Sequence, residues 1–493
     1  MSAHMRQLTF GPMVAFGVGQ VAEGIKNAAF NTFLLFYYQQ VVGVSGTLTG
    51  LALAIALCFD AVTDPLAGAL SDRTRSRWGR RHPFILAAAL PLAIAFYLLF
   101  NPPEGLSQFS AFLWLTGFAV LVRGALTFYY VPHLALGAEM ARDYHQRSTL
   151  FAFSTLFGLL GGAFAGFFAY RLFFPTTPEY SPGLLNPDGY SGFGLAFGIA
   201  MALAIVACFL GTFREIPHLR KPMQLQSFRL AGMISDLMEA FRNKSFRALF
   251  FGMLFSTLVI SIEGVFSPYM GVHFWGFTTE MLSLLPLVAL VALLLSVPLT
   301  PLATRVLDKK WAVILPAFIV ILNVNLLIVL RLLDVPWFPD NDSPWILRFV
   351  LISTFVTTLL APVVFTSINS MFGDIADEHE LETGERREGV IYAARSFALK
   401  TTGASGVFIG GLLLDFIAFP RGAAAGSVPD DIIWSLGFVQ GPATSVFTLI
   451  GLLLYMGYKL DRTRHAEIMA ELERRREAAE AAESGSGPLG ETS

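Results

Sequence analysis

The sequence has little charge and almost no cysteine. Only 14% of its 493 residues are charged, whereas a soluble domain carries about 25%. Its two cysteines, Cys58 and Cys208, lie in apolar stretches, which argues against a structural disulfide and against a cysteine metal site. The sequence also lacks a nucleophile elbow, a metal-binding motif and a G-x-x-x-x-G-K-[ST] phosphate loop. These absences argue against an enzyme and against an ATP-driven pump.

Long apolar runs are abundant instead. Hydrophobic residues make up 54% of the chain, and 46 residues are phenylalanine. The runs are long enough to cross the roughly 30 Å hydrocarbon core of a bilayer as helices. We predict an all-α integral membrane protein with twelve transmembrane helices at 12–40, 46–70, 83–101, 109–139, 149–171, 193–213, 248–272, 281–303, 311–332, 346–372, 390–416 and 441–458. The first span lacks a nearby small-residue cleavage site, so it would act as an uncleaved insertion signal.

Lysine and arginine are concentrated on one side of this predicted topology. With twelve spans both termini lie on the same side, and the segments on that side hold 26 of the 34 Lys and Arg residues. Cytoplasmic loops carry such an excess. We therefore predict a multi-pass protein of a bacterial-type cell membrane with both termini in the cytoplasm.

The chain divides into two similar halves. The longest basic segment, 214–247, is predicted to be a cytoplasmic linker between a six-helix bundle at 1–213 and another at 248–459, and 460–493 to be a cytoplasmic tail, helical and then disordered. "PLAGALSDR" at 65–73 and "PLATRVLDK" at 301–309 share Pro-Leu-Ala and a later Asp-cation pair, 236 residues apart. Transporters commonly contain such internal repeats.

The repeat provides a control for the acid pair in the second span. Asp60 and Asp64 correspond to Ser296 and Thr300 in the second half. If the fold required acids at these positions, both halves would carry them. The pair is therefore interpreted as functional.

Ionisable residues inside the predicted spans are few and costly. Each would cost about 2.5–3.5 kcal/mol facing lipid, or roughly 20 kcal/mol for the set. They must face a polar cavity or one another, and their charges balance. The set consists of Glu23, Lys26, Asp60, Asp64, Arg123, Glu263, Arg395 and Lys400.

Asp60 and Asp64 lie on one helix face with their Cβ atoms about 5–6 Å apart. Two carboxylates at that separation either share a proton or share a bound cation, and both arrangements couple transport to an ion gradient. Oxygen atoms of Thr63, Thr127 and Tyr130 would suit a hard cation. The alternative is that both acids only pair with Arg123 or Lys400 and hold the helices together.

The other embedded charges are predicted to bind substrate or to couple it to the ion. Lys400 either binds an anionic or hydroxylated substrate, neutralises the acid pair when the cation is absent, or forms a purely structural ion pair. Glu23 and Lys26, three residues apart, either satisfy each other or face the cavity. Arg123, Glu263 and Arg395 are the remaining candidates, whereas His133 is expected to be a packed histidine.

A charged loop follows the second span. Asp72 can accept hydrogen bonds from a neighbouring helix N-terminus or from arginine. It would latch the two halves when the cytoplasmic side is closed, with "GDIADEHELETGERREG" at 373–389 as its counterpart. The predicted gating residues are Asp72, Arg73, Gly79, Arg80 and Arg81. The alternative is that these loops only fix the topology.

These motifs together resemble the glycoside–pentoside–hexuronide:cation symporters, a branch of the major facilitator superfamily that includes the melibiose permease. "YYQQVVGVS", "FDAVTDPLAGALSDRTRSRWGRRHPF" and "DEHELETGERREGVIYAARSFALK" carry the resemblance, and "VPHLALGAE" matches more loosely. The resemblance implies two six-helix bundles, alternating access and symport driven by Na⁺, Li⁺ or H⁺. It also implies that Asp60, Asp64 and Thr127 form the cation site, with Na⁺ bound by the two acids if the protein is sodium-coupled, and that Lys400 is the embedded lysine.

The chain departs from the melibiose permease in the residues that would hold the sugar. It has Gly24, Tyr130, Leu134 and Thr155 where the permease has an acid, an acid, a tryptophan and an arginine. These departures argue against melibiose-like substrates, and the lost acid favours H⁺ over Na⁺. The chain also resembles the sodium-coupled lysolipid transporters of animals in the acid pair and the embedded lysine.

The resulting prediction is a cation-coupled symporter of a small polar solute, a sugar, a glycoside or a hexuronide. The alternative substrate is a lysolipid or another amphipathic anion. No cofactor is expected beyond the coupling ion, Na⁺ or H⁺. The expected partners are the substrate and the lipid bilayer, with no nucleic acid, and the protein is expected to be a monomer.

Overall fold

The computed structural model describes residues 8–141, 144–219, 241–384 and 388–485, and every regular element within them is a helix. Eleven of these helices are long and apolar enough to cross a membrane. We number them α2 to α12: Gly46–Arg73, His82–Leu99, Gln108–Met140, His145–Phe173, Pro187–His218, Lys244–Phe274, Thr279–Val306, Lys309–Leu332, Pro344–Thr383, Ile391–Phe416 and Asp430–Tyr455. The first span, α1, has four segments, Phe10–Gly19, Val21–Ala28, Ala29–Leu34 and Tyr37–Val41. The tail helix, α13, is Arg462–Gly485.

Eleven of the predicted spans coincide with these membrane-length helices, and the first coincides with the segmented helix α1; the two largest changes of boundary are in α10 and α12. Helix α10 continues to Thr383 rather than ending at 372. Its last turns are charged, and they pack against the start of α9 and the tail helix, where Asp374 accepts a hydrogen bond from Lys309 and Asp377 lies beside His465. Helix α12 begins at Asp430 rather than at 441. Its two acids, Asp430 and Asp431, lie in the first turn of the helix, where they interact favourably with the helix dipole. In the sequence, two adjacent acids at this point are typical of a loop.

Helix α1 is the most irregular span. Its segments Ala29–Leu34 and Tyr37–Val41 are π-helical, and π turns often mark functional sites. Glycine allows α1 to lie directly on its neighbours: a Cβ added at Gly24 would lie 2.1 Å from the carbonyl oxygen of Gly158 in α5. Helices α1 and α5 are therefore in backbone contact, and no larger residue fits between them.

The two halves, α1–α6 and α7–α12, meet along α2 and α11 and along α5 and α8. At the first contact a Cβ added at Gly46 would lie 2.4 Å from the carbonyl oxygen of Gly411. At the second contact a Cβ added at Gly166 would lie 2.9 Å from the ring of Pro286. The absence of side chains at these positions lets the halves approach each other.

The far face, which we define as the side of the membrane opposite the two chain ends, is closed by hydrogen bonds between the halves. Asp415 at the end of α11 accepts from the backbone N–H groups of Gly46, at 2.9 Å, and Thr47, at 2.8 Å, at the start of α2. Gln40 donates to the carbonyl oxygen of Pro420 at 2.8 Å. Tyr269 Oη donates to Gln39 Oε1 at 3.1 Å.

The tail helix is docked on the second half. Ile468 and Leu472 are buried in a core cluster with residues of α7 and α10. His465 Nε2 lies 3.1 Å from Asp377 Oδ2, and Arg476 pairs with Glu380 at 2.9 Å. The predicted helix in the tail is therefore present, and it packs on the solvent end of α10. Residues 220–240 of the predicted linker and 486–493 of the predicted disordered tail lie outside the described residues.

Candidate functional site

The first acid of the α2 pair is bound within its own half. Arg123 of α4 donates from Nε to Asp60 Oδ2 at 2.8 Å, and its Nη2 contacts the same oxygen. The guanidinium carbon also lies 5.7 Å from the centre of the Phe30 ring of α1. The other carboxylate oxygen, Asp60 Oδ1, is buried and accepts no hydrogen bond from the described residues. The charge of Asp60 is therefore balanced, but one of its oxygens is still available as a ligand.

The second acid is bound across the two halves. Lys400 of α11 donates from Nζ to Asp64 Oδ2 at 2.5 Å, and Thr127 of α4 donates to Asp64 Oδ1 at 3.1 Å. The side chains of Asp64 and Lys400 are 35% and 37% exposed, compared with 17% and 13% for Asp60 and Arg123. The Asp64–Lys400 pair is thus the more accessible of the two, and a small ion can reach it.

The repeat-equivalent positions in the second half have no such partners. Ser296 and Thr300 of α8 donate to carbonyl oxygens of their own helix, at 2.6 and 2.9 Å. The hydroxyl of Thr63, a predicted ligand, likewise donates to the Phe59 carbonyl at 3.1 Å. Tyr130 of α4 lies beside Gln20 of α1. Among the predicted cation-site residues, the structure thus brings Asp60, Asp64 and Thr127 together.

Helix α1 carries a polar ridge that the sequence analysis only partly identified. Lys26 Nζ donates to Glu23 Oε1 at 2.9 Å and to Asn27 Oδ1 at 2.7 Å. The Asn27 amide donates to Glu23 at 3.1 Å, and Asn31 follows one turn later, exposed like Asn27. Glu23 and Lys26 therefore form an ion pair with each other, which is one of the two alternatives predicted from the sequence. The two asparagines were missed, although polar residues four apart in an apolar span are a usable signal.

The asparagines face a cavity of about 510 Å³ between the halves. This volume is within the range of about 300–1,000 Å³ that is common for ligand pockets. Helices α1 and α5 form one side of the cavity, and α8 forms the other. The lining residues include Asn27, Asn31, Leu285, Pro286, Ala289, Leu293, Ser267 and Thr354.

Three other residues considered in the sequence analysis form no hydrogen bond or ion pair with Asp60 or Asp64 among the described residues. Glu263 of α7 has no hydrogen-bond or ion-pair partner among the described residues, and Arg395 Nε in α11 is buried without one. His133 stacks on Phe16, with ring centres 4.0 Å apart, and its Nε2 lies 2.9 Å from the Phe16 carbonyl oxygen. It is therefore a packed histidine, as expected.

The predicted gating residues form contacts within the first half. Arg81 pairs with Asp72 and donates from Nε to Glu139 at 3.0 Å, and Arg80 donates to the same carboxylate at 2.9 Å. Gly79 has φ +78°, in the left-handed region that favours glycine, and Arg73 is exposed.

The predicted counterpart of the gate, at 373–389, bonds within the second half. Asp374 accepts from Lys309 at 2.6 Å, and Glu378 accepts from Asn243 at 2.6 Å; residues 385–387 lie outside the described residues. A latch between Asp72 and this segment remains a prediction for a conformation closed on the side of the chain ends.

Comparison with known proteins agrees with this architecture. Residues 15–462 match the family model of the MFS/sugar transport proteins. The chain is 24% identical to the glucuronide carrier protein homolog of Escherichia coli, covering 96% of this chain and 97% of that one. It is 24% identical to the sodium-dependent lysophosphatidylcholine symporter 1-A of Danio rerio, covering 93% and 87%.

The fold is also found among solved structures. The D-xylose-proton symporter superposes with a TM-score of 0.59 at 14% identity, covering 91% of this chain and 96% of that chain. At this identity the likeness concerns the fold alone, which is that of the major facilitator superfamily. The chain is an integral membrane protein, and it belongs to the family of MFS/sugar transport proteins.

Proposed function

We propose that this protein is a cation-coupled symporter that carries a small polar solute, a sugar, a glycoside or a hexuronide, by alternating access. The observation that carries the proposal is the ion pair between Asp64 of α2 and Lys400 of α11, which joins the two halves within membrane-length helices. Charged side chains within a membrane-spanning helix are costly unless they are paired or face water. In this pair a coupling ion can replace the Lys400 ammonium as the partner of the Asp64 carboxylate.

The exchange follows from the geometry. A cation that enters the site is offered Asp60 Oδ1, Asp64 and Thr127 Oγ1 as oxygen ligands, and oxygen ligands suit a hard cation. It displaces the ammonium of Lys400 from Asp64 because both compete for the same negative charge. Lys400 is then free to contact an anionic or hydroxylated solute, so the ion favours binding of the solute.

The charge balance supports one monovalent ion per cycle. Arg123 neutralises Asp60, so the acid pair offers one uncompensated negative charge after Lys400 has left Asp64. A proton on Asp64 would release Lys400 in the same way as Na⁺ would. Both Na⁺ and H⁺ therefore remain candidates for the coupling ion.

A lysolipid or another amphipathic anion is the second candidate substrate. The specific observation in its favour is the apolar α8 side of the cavity, formed by residues such as Leu285, Ala289 and Leu293. A relative named as a lysophosphatidylcholine symporter aligns over nearly the whole chain.

We place both chain ends in the cytoplasm on the distribution of Lys and Arg. The far face would then be the outer side, and the structure is closed there by contacts such as that of Asp415 with α2. The cavity is built from both halves of one chain, so a monomer suffices for transport.

The test is uptake into proteoliposomes driven by a Na⁺ or pH gradient, with sugars, uronates and lysolipids as substrates. Asp64→Asn and Asp60→Asn should abolish gradient-driven accumulation without loss of the folded protein in size-exclusion chromatography. Asp188→Asn, an exposed acid at the start of α6, is the matched control and should accumulate normally. Normal accumulation by both α2 variants would reject the coupling role.

The variant Lys400→Ala distinguishes a role of Lys400 in solute binding from a role in neutralising the charge of Asp64. If Lys400 contacts the solute, this variant should bind it more weakly at saturating cation in a thermal-shift titration. Unchanged affinity would restrict Lys400 to neutralising Asp64.

A further inference from the structure

A histidine of the tail helix lies between two acids at the charged end of α10. We infer that Asp374, Asp377 and His465 form a binding site for a borderline transition-metal dication such as Zn²⁺, and that the bound ion joins α13 to α10. The inference does not depend on the proposed transport function, because none of the three residues belongs to the Asp60–Arg123 or Asp64–Lys400 pairs.

The three ligand atoms have the spacing of a metal site. His465 Nε2 lies 3.4 Å from Asp374 Oδ1 and 3.1 Å from Asp377 Oδ2, and the three atoms all lie within 4.8 Å of one another. Metal–ligand bonds of about 2.0–2.2 Å place the ligands of a tetrahedral Zn²⁺ about 3.3–3.6 Å apart. Imidazole and carboxylate together suit Zn²⁺, whereas Mg²⁺ and Ca²⁺ prefer oxygen ligands alone.

The fold positions each ligand. Asp374 and Asp377 are three residues apart on α10, so they project from one helix face. The side chain of Asp374 is buried, and Tyr458 Oη donates to its Oδ2 at 3.0 Å. His465 lies in the first turn of α13, where Asp461 accepts a hydrogen bond from a backbone N–H at 2.7 Å. Metal ligands are commonly oriented by such hydrogen bonds from neighbouring groups.

A polar cavity of about 260 Å³ lies beside Asp374 and His465. It has room for the water that completes the coordination of a site with three protein ligands. Among the charged groups that line the cavity or contact His465, four are carboxylates and two are permanent cations. This leaves an excess of two negative charges, which one divalent cation balances. The groups are Asp308, Asp374, Asp377, Asp461, Lys309 and Arg462.

The internal repeat provides a control for these acids as well. At the offset of 236 residues, Asp374 and Asp377 correspond to Ala138 and Ala141 in the first half. The fold therefore does not require acids at these positions. The feature that the second half has in addition is the docked tail helix, which supplies His465.

Lys309 is the group that the ion displaces. Its Nζ donates to both carboxylate oxygens of Asp374, at 2.6 and 2.8 Å. The side chain of Lys309 is 33% exposed, compared with 5% for Asp374. The lysine can therefore turn into solvent when a dication takes its place on Asp374.

Metal binding to the full-length, untagged protein in detergent tests the inference. The protein is treated with a chelator, Zn²⁺ is added, and binding is measured by isothermal titration calorimetry and by metal analysis after gel filtration. We expect one Zn²⁺ per chain that excess Mg²⁺ does not displace, and the visible absorption of tetrahedral Co²⁺ when Co²⁺ is added instead. Absence of retained Zn²⁺, or equal binding of Mg²⁺, would overturn the inference.

Single substitutions assign the ion to these residues. His465→Gln should abolish Zn²⁺ binding, whereas His145→Gln, at an exposed histidine of the first half, should retain it. Tyr458→Phe removes a hydrogen bond to Asp374 and should weaken Zn²⁺ binding about 10- to 100-fold. Lys309→Met removes the competing cation and should bind Zn²⁺ more tightly than the wild type. Wild-type affinity in His465→Gln or in Lys309→Met would contradict the assignment.

The bound ion should also strengthen the docking of the tail helix. Zn²⁺ should slow proteolysis between α12 and α13 in the wild type and have no effect in His465→Gln. Asp377→Asn provides the same test if the histidine variant does not fold. An equal proteolysis rate of the wild type with and without Zn²⁺ would show that the ion does not join the two helices.

Discussion

The contact between Asp415 and the start of α2 is expected to set how often the far face opens. Its carboxylate accepts two backbone hydrogen bonds, at 2.9 and 2.8 Å, from Gly46 and Thr47. These donors are N–H groups of the first helical turn, which have no partner inside their own helix. The cap is supplied by the other half of the protein, so it exists only while the two halves touch on this face.

The size of the effect follows from the bonds involved. Asparagine in place of Asp415 can still accept one hydrogen bond, but it loses the charge and presents an N–H₂ group to the second donor. Helix caps contribute about 0.5–2 kcal/mol, and hydrogen bonds to charged groups about 1.5–3 kcal/mol. We therefore expect Asp415→Asn to destabilise the closed far face by about 1–2 kcal/mol, and Asp415→Ala by more. A loss of this size raises the ratio of open to closed protein about 5- to 30-fold.

Spin-label distances across the far face measure this ratio. Labels replacing Glu104 and Asp342 report on the two halves, since both residues are exposed in far-face loops. Cys58, which is exposed, is replaced by serine, while Cys208 is buried. The longer-distance population should increase in the order wild type, Asp415→Asn, Asp415→Ala. Asp188→Asn, an exposed acid at the same face whose side chain forms no hydrogen bond with a described residue of the second half, should leave the distribution unchanged. An unchanged distribution in Asp415→Ala would refute the reasoning.

Three further predictions concern single contacts. Arg123→Ala leaves Asp60 buried without its cation and should destabilise the protein by about 3–5 kcal/mol in a thermal or denaturant melt, whereas the double variant with Asp60→Asn should recover most of that loss. A Cβ added at Gly411 would lie 2.1 Å from the Gly46 carbonyl oxygen, so Gly411→Ala should favour an open far face and give the longer spin-label distances; a wild-type distribution would contradict this. Ile468 is buried, so Ile468→Ala should weaken the docking of α13 by about 2–5 kcal/mol and speed proteolysis between α12 and α13. Equal proteolysis rates for the variant and the wild type would show that this contact does not hold the helix in place.

The sequence predicted the spans and the embedded charges well, because both depend on composition along the chain. Asp60 and Asp64 are costly in lipid wherever they stand, so a polar environment could be inferred for them before any contact was known. Which base each acid binds could not be predicted. Arg123 and Lys400 were both candidates for both acids, and only the packing of α2 against α4 and α11 separates the two pairs.

Neutral polar residues were the main omission at the site. Asn27 and Asn31 carry no charge, so they did not stand out against the acids and bases of α1. The start of α12 was misplaced for a related reason: Asp430 and Asp431 belong to a helix only because its N-terminus stabilises them. In both cases the sequence shows which residues are polar, but the surroundings that satisfy them arise from the fold.

The docked tail helix has a practical consequence. Since α13 is fixed to α10 through Ile468, Leu472 and Arg476, it follows the second half when the protein changes conformation. A fluorophore on its solvent-facing side, paired with one on the first half, would convert each turnover into a change of energy transfer. The protein thus offers a labelling site on a helix that contains none of the residues of the Asp60–Arg123 and Asp64–Lys400 pairs.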